Sequence, residues 1–365
     1  MTTPEDAFQR LAGVFASRGN AILEIEIIPP SLGSPFLRDV CSIGITKKAL
    51  VQAFTVARRL FVKHQASMTA DALLASLLKP NMTPGEESDL VTTEIVLLFD
   101  CEHLTACNWR KRRLLAALTR RQNASNQTRE LVQMFKTELT LLQSYQCSPL
   151  HRHTKSPTLW SHRLWVRKQL LQLELQSPQA LLDLEREELD VVLRAAALHP
   201  KNYYAFTYMR QIHALLASTA TSAKGHPSWA GELARVLLDP VLDWCLARPR
   251  DISGWTFEIY LLGHVSEQSA RSETVGRVLR FARDIGWEGE SLWTFIDQAV
   301  RQFGLESVVD ETFLHDTEQA PHVPAPASTT VDQQPPPKWP WRARLARARA
   351  YWAVYGHGHG PGHDT

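Results

Sequence analysis

From Thr46 to residue 303 the chain repeats one local pattern, and that pattern leaves few folds open. Long stretches carry apolar side chains at three- and four-residue spacing, the mark of an amphipathic helix, with turn residues between them. They fall into pairs: 87–100 with 104–120, 126–146 with 157–175, 178–197 with 200–217, 228–247 with 251–263, and 267–284 with 290–303. Ser177-Pro178 reads as an N-cap followed by the first helical residue, and Pro200 and Pro227 open helices in the same way. TKKALVQAFTVARRLFVKH, with Thr46 as its N-cap, precedes the first pair. Strand alternation is missing from this region. Helical hairpins bury their apolar faces by stacking, so the pattern predicts an all-α solenoid of αα-hairpins over residues 46–315.

The flanks differ. Residues 1–45 are mixed, and AILEIEII reads as a short extended segment that Pro29-Pro30 ends. Residues 316–340 are proline-rich and read as an extended linker. Residues 341–365 begin with WPWRARLARARAYWAVYG. A helix there places Trp341, Leu345, Ala348 and Trp352 on one face, with arginines on its flanks and opposite side. Such a basic amphipathic segment, residues 341–356, suits a membrane surface, an acidic partner or the solenoid itself. A His/Gly tail closes the chain.

Composition then removes several function classes. Of 365 residues, 44% are hydrophobic and 21% charged, a soluble globular balance. A net charge of +2 does not steer the chain toward nucleic acid. Arg110, Lys111, Arg112, Arg113, Arg120 and Arg121 crowd one helix without stacking aromatics, which predicts a solvated face or an acidic partner's interface. No apolar run approaches the roughly 20 residues of a membrane span, and MTTPEDAFQR lacks a secretory layout. Five scattered cysteines read as reduced thiols, hence a cytoplasmic protein. Cys101, His103 and Cys107 lack a fourth ligand, so no metal is expected in this chain.

The second helices overlay as LTACNWRKRRLL, KSPTLWSHRLWV, KNYYAFTYMRQI, RDISGWTFEIYL and EGESLWTFIDQA. One position, at Cys107, Trp160, Phe206, Trp255 and Trp293, is aromatic in all but the first copy and reads as inter-repeat core. An arginine three residues later recurs as Arg110 and Arg163, but is Met209, Glu258 and Ile296 in the other copies. HPKNYYAF and KSPTLWSHRLWV match most closely a pattern P-K-N-Y-x-x-W-x-x-R, and over residues 86 to 305 the chain resembles the α-subunit repeats of protein prenyltransferases, in particular the diverged repeat-containing members.

That resemblance implies a right-handed superhelix of hairpins that wraps around a separate β subunit. The β subunit carries the catalytic zinc and most of the isoprenoid pocket. This chain then holds no cofactor and no catalytic residue of its own, and is inactive alone. The family's diphosphate-facing lysine corresponds to Lys155, while its tyrosine two residues on is Pro157 here. Lys201, Asn202 and Tyr203 keep the K-N-Y core, and Tyr204 stands where some members have histidine. These five, Lys155, Lys201, Asn202, Tyr203 and Tyr204, are the candidate diphosphate contacts. A helix N-terminus offers unpaired N–H groups and a positive dipole end to an anion, and lysines there would stabilise a departing diphosphate. The expected function is the α-type subunit of a heterodimeric protein prenyltransferase. Its partners are a β subunit, an isoprenoid diphosphate at the interface, and a protein with an acceptor cysteine, with geranylgeranyl favoured over farnesyl. The alternative is a non-catalytic helical scaffold. Departures from the repeat arginine predict apolar packing in place of some inter-repeat ion pairs.

Overall fold

The computed structural model describes residues 3–67, 84–119, 125–150, 152–174, 177–224, 229–313 and 346. Pro227, Arg120, Arg121, the 316–340 linker and, apart from Ala346, the 341–356 segment lie outside them. The chain divides into two compact units, Met1–Ser218 and Thr219–Thr365. Thirteen α-helices, two single turns of 3-10 helix and one three-stranded sheet account for the regular structure of the described residues. None of these helices is long and apolar enough to cross a membrane.

The N-terminal segment is more ordered than its mixed sequence announces. α1 (Pro4–Ser17) starts at a capping box in which Thr3 and Asp6 each bond the other's backbone N–H, with Pro4 at the first helical position. β1 (Glu24–Ile28), β2 (Phe36–Asp39) and β3 (Ser42–Thr46) form a sheet in the order β1-β3-β2, parallel between β1 and β3 and antiparallel between β2 and β3. The hydroxyls of Ser144 and Ser148 accept from the backbone N–H groups of Leu23 and Ile25, each at 2.8 Å, which ties this edge to the helical region. Phe8, Leu11, Ile25 and Ile45 share one core with Leu97, Phe135 and Leu159, so residues 1–45 are part of the first unit's core. Thr46 ends β3, and its hydroxyl accepts from the Ala49 N–H as α2 (Lys47–Ser67) begins.

The helix pairs follow in the expected order. They are α3 (Pro84–Phe99) with α4 (Leu104–Thr119), α5 (Ser125–Gln146) with α6 (Pro157–Leu173), and α7 (Pro178–Leu198) with α8 (Tyr203–Lys224). In the second unit α9 (Trp229–Ala247) pairs with α10 (Ile252–His264), and α11 (Gln268–Ile285) with α12 (Glu290–Phe303). A short α13 (Glu306–Phe313), not foreseen in the sequence, packs on α11.

One start differs from expectation in a way that matters for the site. Pro200 does not open α8. Lys201 takes a left-handed backbone, φ 59°, and Asn202 caps the helix by accepting from the Ala205 N–H at 3.2 Å. Lys201 therefore precedes the helix rather than occupying its first turn. A lysine at positive φ is strained relative to glycine, by roughly 1 kcal/mol.

In the second unit the backbone of α10 comes close to α9 at Gly254. A Cβ there would lie 2.6 Å from the Trp244 ring and 2.9 Å from the Cys245 sulfur, so glycine permits this approach. Leu237, Val241, Trp255, Phe257, Val275, Leu279, Phe295 and Ile296 fill the unit's interior. The Trp255 and Phe295 rings meet with centroids 4.8 Å apart.

Candidate functional site

The five candidate diphosphate contacts lie on two neighbouring turns of the first unit. The earlier turn is a single turn of 3-10 helix, His153–Lys155, from which Ser156 caps α6 by accepting from the Leu159 N–H at 3.1 Å. The later turn is His199–Asn202, which leads into α8. Three bonds lock them together. The Lys155 ammonium donates to the Pro200 carbonyl at 2.8 Å. The Asn202 amide donates to the Thr154 carbonyl at 2.7 Å, which also accepts from the Trp160 indole at 2.8 Å. The Thr154 hydroxyl meets His199 Nδ1 at 2.8 Å.

These contacts sort the candidates. Asn202 is fully buried, with its amide committed at both ends to the Ala205 N–H and the Thr154 carbonyl. Its place in the structure is that of a cap and a cross-turn brace. Lys155 is half-buried beside the Pro200 carbonyl. Lys201 is exposed, as are Tyr203 at 58% and Tyr204 at 50% of their surface, so both phenols face outward at the start of α8. The structure thus gathers two lysines and two exposed tyrosines at one pair of turns.

In each unit the repeat positions belong to the core. Trp160, Phe206, Trp255 and Trp293 are all buried, as is Cys107. Trp160 meets Tyr208 with ring centroids 5.0 Å apart. The repeat arginines are buried ion-pair centres. Arg163 on α6 grips Glu188 on α7 through Nε at 2.7 Å and Nη2 at 2.9 Å. Arg167 and the Tyr208 hydroxyl also reach Glu188, the latter at 2.5 Å. Burial raises the Glu188 pKa, but Arg163 and Arg167 outweigh it and hold the carboxyl at about 2.

Arg110 on α4 likewise grips Glu138 on α5 at 2.8 and 2.7 Å, and touches Glu94, Thr93 and the Leu90 carbonyl. His162 Nε2 completes the Glu138 site at 2.8 Å. Burial again opposes ionisation of Glu138, and Arg110 with His162 overcomes it, leaving the carboxyl well below its ordinary range. Arg18 at the end of α1 reaches Glu94 at 3.6 Å, so the network extends to the N-terminal segment. The run Arg110–Arg113 is therefore not one solvated face: Arg110 is among the most deeply buried side chains of the protein, while Arg112 is exposed.

The acidic partners Glu94, Glu138 and Glu188 were not singled out in the sequence. The signal available was a glutamate on the first helix after each repeat arginine, 28 residues beyond Arg110 and 25 beyond Arg163. Among the described residues no group of three or more His, Cys, Asp or Glu side chains is arranged to hold a metal ion. Cys101 and Cys107 are buried, and burial pushes both thiols up to about 11.

A family model described as protein prenyltransferase alpha subunit repeat matches residues 185–216. The window runs from α7 through the 199–202 turn into α8 and includes Glu188, Lys201, Asn202, Tyr203 and Phe206. No curated protein matches the chain.

Proposed function

We propose that this chain, whose residues 185–216 match a protein prenyltransferase alpha subunit repeat, is the α-type subunit of a heterodimeric protein prenyltransferase acting in the cytoplasm. The reaction is transfer of a geranylgeranyl group from its diphosphate to a protein cysteine. The observation that carries the reading is the joining of two lysine-bearing turns, with the Lys155 ammonium 2.8 Å from the carbonyl of the residue before Lys201. Lys201 holds its position at a backbone angle that favours glycine, a local cost that a purely structural turn would shed.

In the transfer, the cysteine sulfur bonds the allylic carbon as the carbon–oxygen bond breaks and its electron pair leaves on the diphosphate. This chain's part is to receive that charge. Two ammonium groups and two phenols at one pair of turns stabilise it more in the transition state than in the bound substrate. The zinc that lowers the thiol's pKa belongs to the β partner on this reading.

The test is Lys201→Glu in the complex with the β subunit. Prenyl transfer from geranylgeranyl diphosphate should fall on the order of a hundredfold, the scale of losing one aimed charge-stabilising donor, with subunit binding unchanged. Unchanged transfer would remove the diphosphate role. A scaffold function is the second reading, favoured by Pro157 in place of the family's tyrosine hydroxyl. It predicts subunit or partner binding with no response to isoprenoid diphosphate.

A further inference from the structure

Each repeat aromatic follows a turn whose carbonyl lies six residues upstream, and the tryptophans close that turn themselves. The Trp160 indole donates to Thr154 at 2.8 Å, Trp255 to Pro249 at 3.0 Å, and Trp293 to Trp287 at 2.8 Å. Phe206 and Cys107 carry no indole. The carbonyls left over are those of Pro200 and Cys101. Pro200 accepts from Lys155 Nζ at 2.8 Å, and Cys101 accepts from Ser156 Oγ at 3.2 Å. Both substitutes come from the turn that opens α6.

From this exchange we propose that Lys155 is a positioning residue that replaces the indole donor missing at Phe206, closing the third pair's turn from the second pair and thereby fixing its own ammonium beside Lys201. The physical basis is donor accounting. Pro200 is exposed, so where phenylalanine offers no donor the Lys155 ammonium competes only with water for its carbonyl. An ammonium carries three donors, so one can serve Pro200 while the charge remains to attract an anion. Ordering a lysine costs more rotamer freedom than ordering an indole that is buried already, so the bond persists because Pro200 has no indole to turn to. Phe206, though buried away from any ligand, thus decides where Lys155 stands. If a diphosphate binds these turns it meets an ammonium whose ordering cost has been met in folding, which is preorganisation. The crosslink itself does not depend on the diphosphate reading.

The experiment is a double-mutant cycle in the full chain, with Lys155→Met, Phe206→Trp and the double variant compared by chemical denaturation. In the natural Phe206 background, K155M should lower the folding equilibrium constant about fivefold, the scale of one net hydrogen bond. In the F206W background, where an indole serves Pro200, the same change should have almost no effect. Equal losses in both backgrounds would overturn the proposal. Should the F206W variant not fold, K155R is the second probe: its guanidinium can still donate, so it should recover most of what K155M loses, and equal losses in K155R and K155M overturn the idea. Inorganic pyrophosphate titrated onto the same proteins keeps the two readings apart. Coupling without any pyrophosphate binding supports the positioning role while removing the diphosphate site.

Discussion

In the first unit, Arg110 and Arg163 reach from the second helix of one pair to a glutamate on the first helix of the next. In the second unit the same position holds Glu258 and Ile296, three residues after Trp255 and Trp293. Ile296 packs in the core. Glu258 is also fully buried, yet both its carboxylate oxygens lack a hydrogen-bond partner among the described residues. Burial pushes its pKa well above the ordinary 4.5, Asp239 and Asp243 add to that, and Arg277 opposes it. Arg277 is itself held at the surface by Asp239 at 2.8 Å and Asp243 at 2.6 Å. The aromatic position and its turn bond recur in both units, whereas the ion pair does not. The buried ring recurs in every copy but that of Cys107, whereas the arginine ion pair is confined to the two copies of Arg110 and Arg163. The apolar replacement expected from the sequence describes Met209 and Ile296, which are both buried, but not Glu258.

The strongest way to break this comparison is to remove an arginine. Arg163→Met leaves Glu188 buried with Arg167 as its remaining cation, and should destabilise the first unit by about 3–5 kcal/mol, the cost of stranding half of a buried pair. Urea denaturation followed by a probe in that unit reads it. A loss below about 1 kcal/mol would place Arg163 with ordinary surface ion pairs.

Next in size is a contrast in pH dependence, because the two buried carboxylates have opposite signs. Glu188 is held at about 2, below its ordinary 4.5, so its contribution is present above 4.5 and is lost as pH falls through 2. Glu258 is raised, so the folded form keeps a proton that the unfolded form releases. Its contribution is full below 4.5 and is lost as pH rises from 4.5 through the folded value. Glu258→Gln should therefore flatten the decline in second-unit stability as pH rises above 4.5. A decline as steep in E258Q as in the natural chain would assign it to other groups.

The smallest effect sharpens the shared feature. Trp255→Phe removes the indole bond to Pro249 and should cost about 1 kcal/mol or slightly more. Trp160→Phe should cost less through this bond, because the Thr154 carbonyl keeps the Asn202 amide as a second donor. The reverse order, read from paired denaturation curves, would show that the turn bonds are not what distinguishes these sites.

Much of this architecture was legible in the sequence, for a physical reason: helical periodicity and its stops are local. Ser177-Pro178 is an N-cap and first helical residue, as expected. The capping box at Thr3 and Asp6 was equally local and escaped only because the first residues read as mixed. The parallel pairing of β1 with β3 is not local, since β2 comes between Ile25 and Ile43 in sequence, and AILEIEII betrays only its extended form. At the site, the K-N-Y core drew attention to residues 201–203, but no spacing rule distinguishes a lysine in the first helical turn from one before an asparagine cap. Burial of Arg110 was hidden by the run of cations around it, because its partners Glu94 and Glu138 lie on two other helices.

The measurement that bears most directly on function is affinity purification of the full chain from a lysate of its native cells, with mass spectrometry of the proteins that accompany it. The proposed function predicts a zinc-bearing prenyltransferase β subunit in near-stoichiometric amount, and transfer of labelled geranylgeranyl to a protein cysteine when its diphosphate is added. Recovery of the chain without any β subunit, and without prenyl transfer, would contradict the account and leave a repeat fold put to another use.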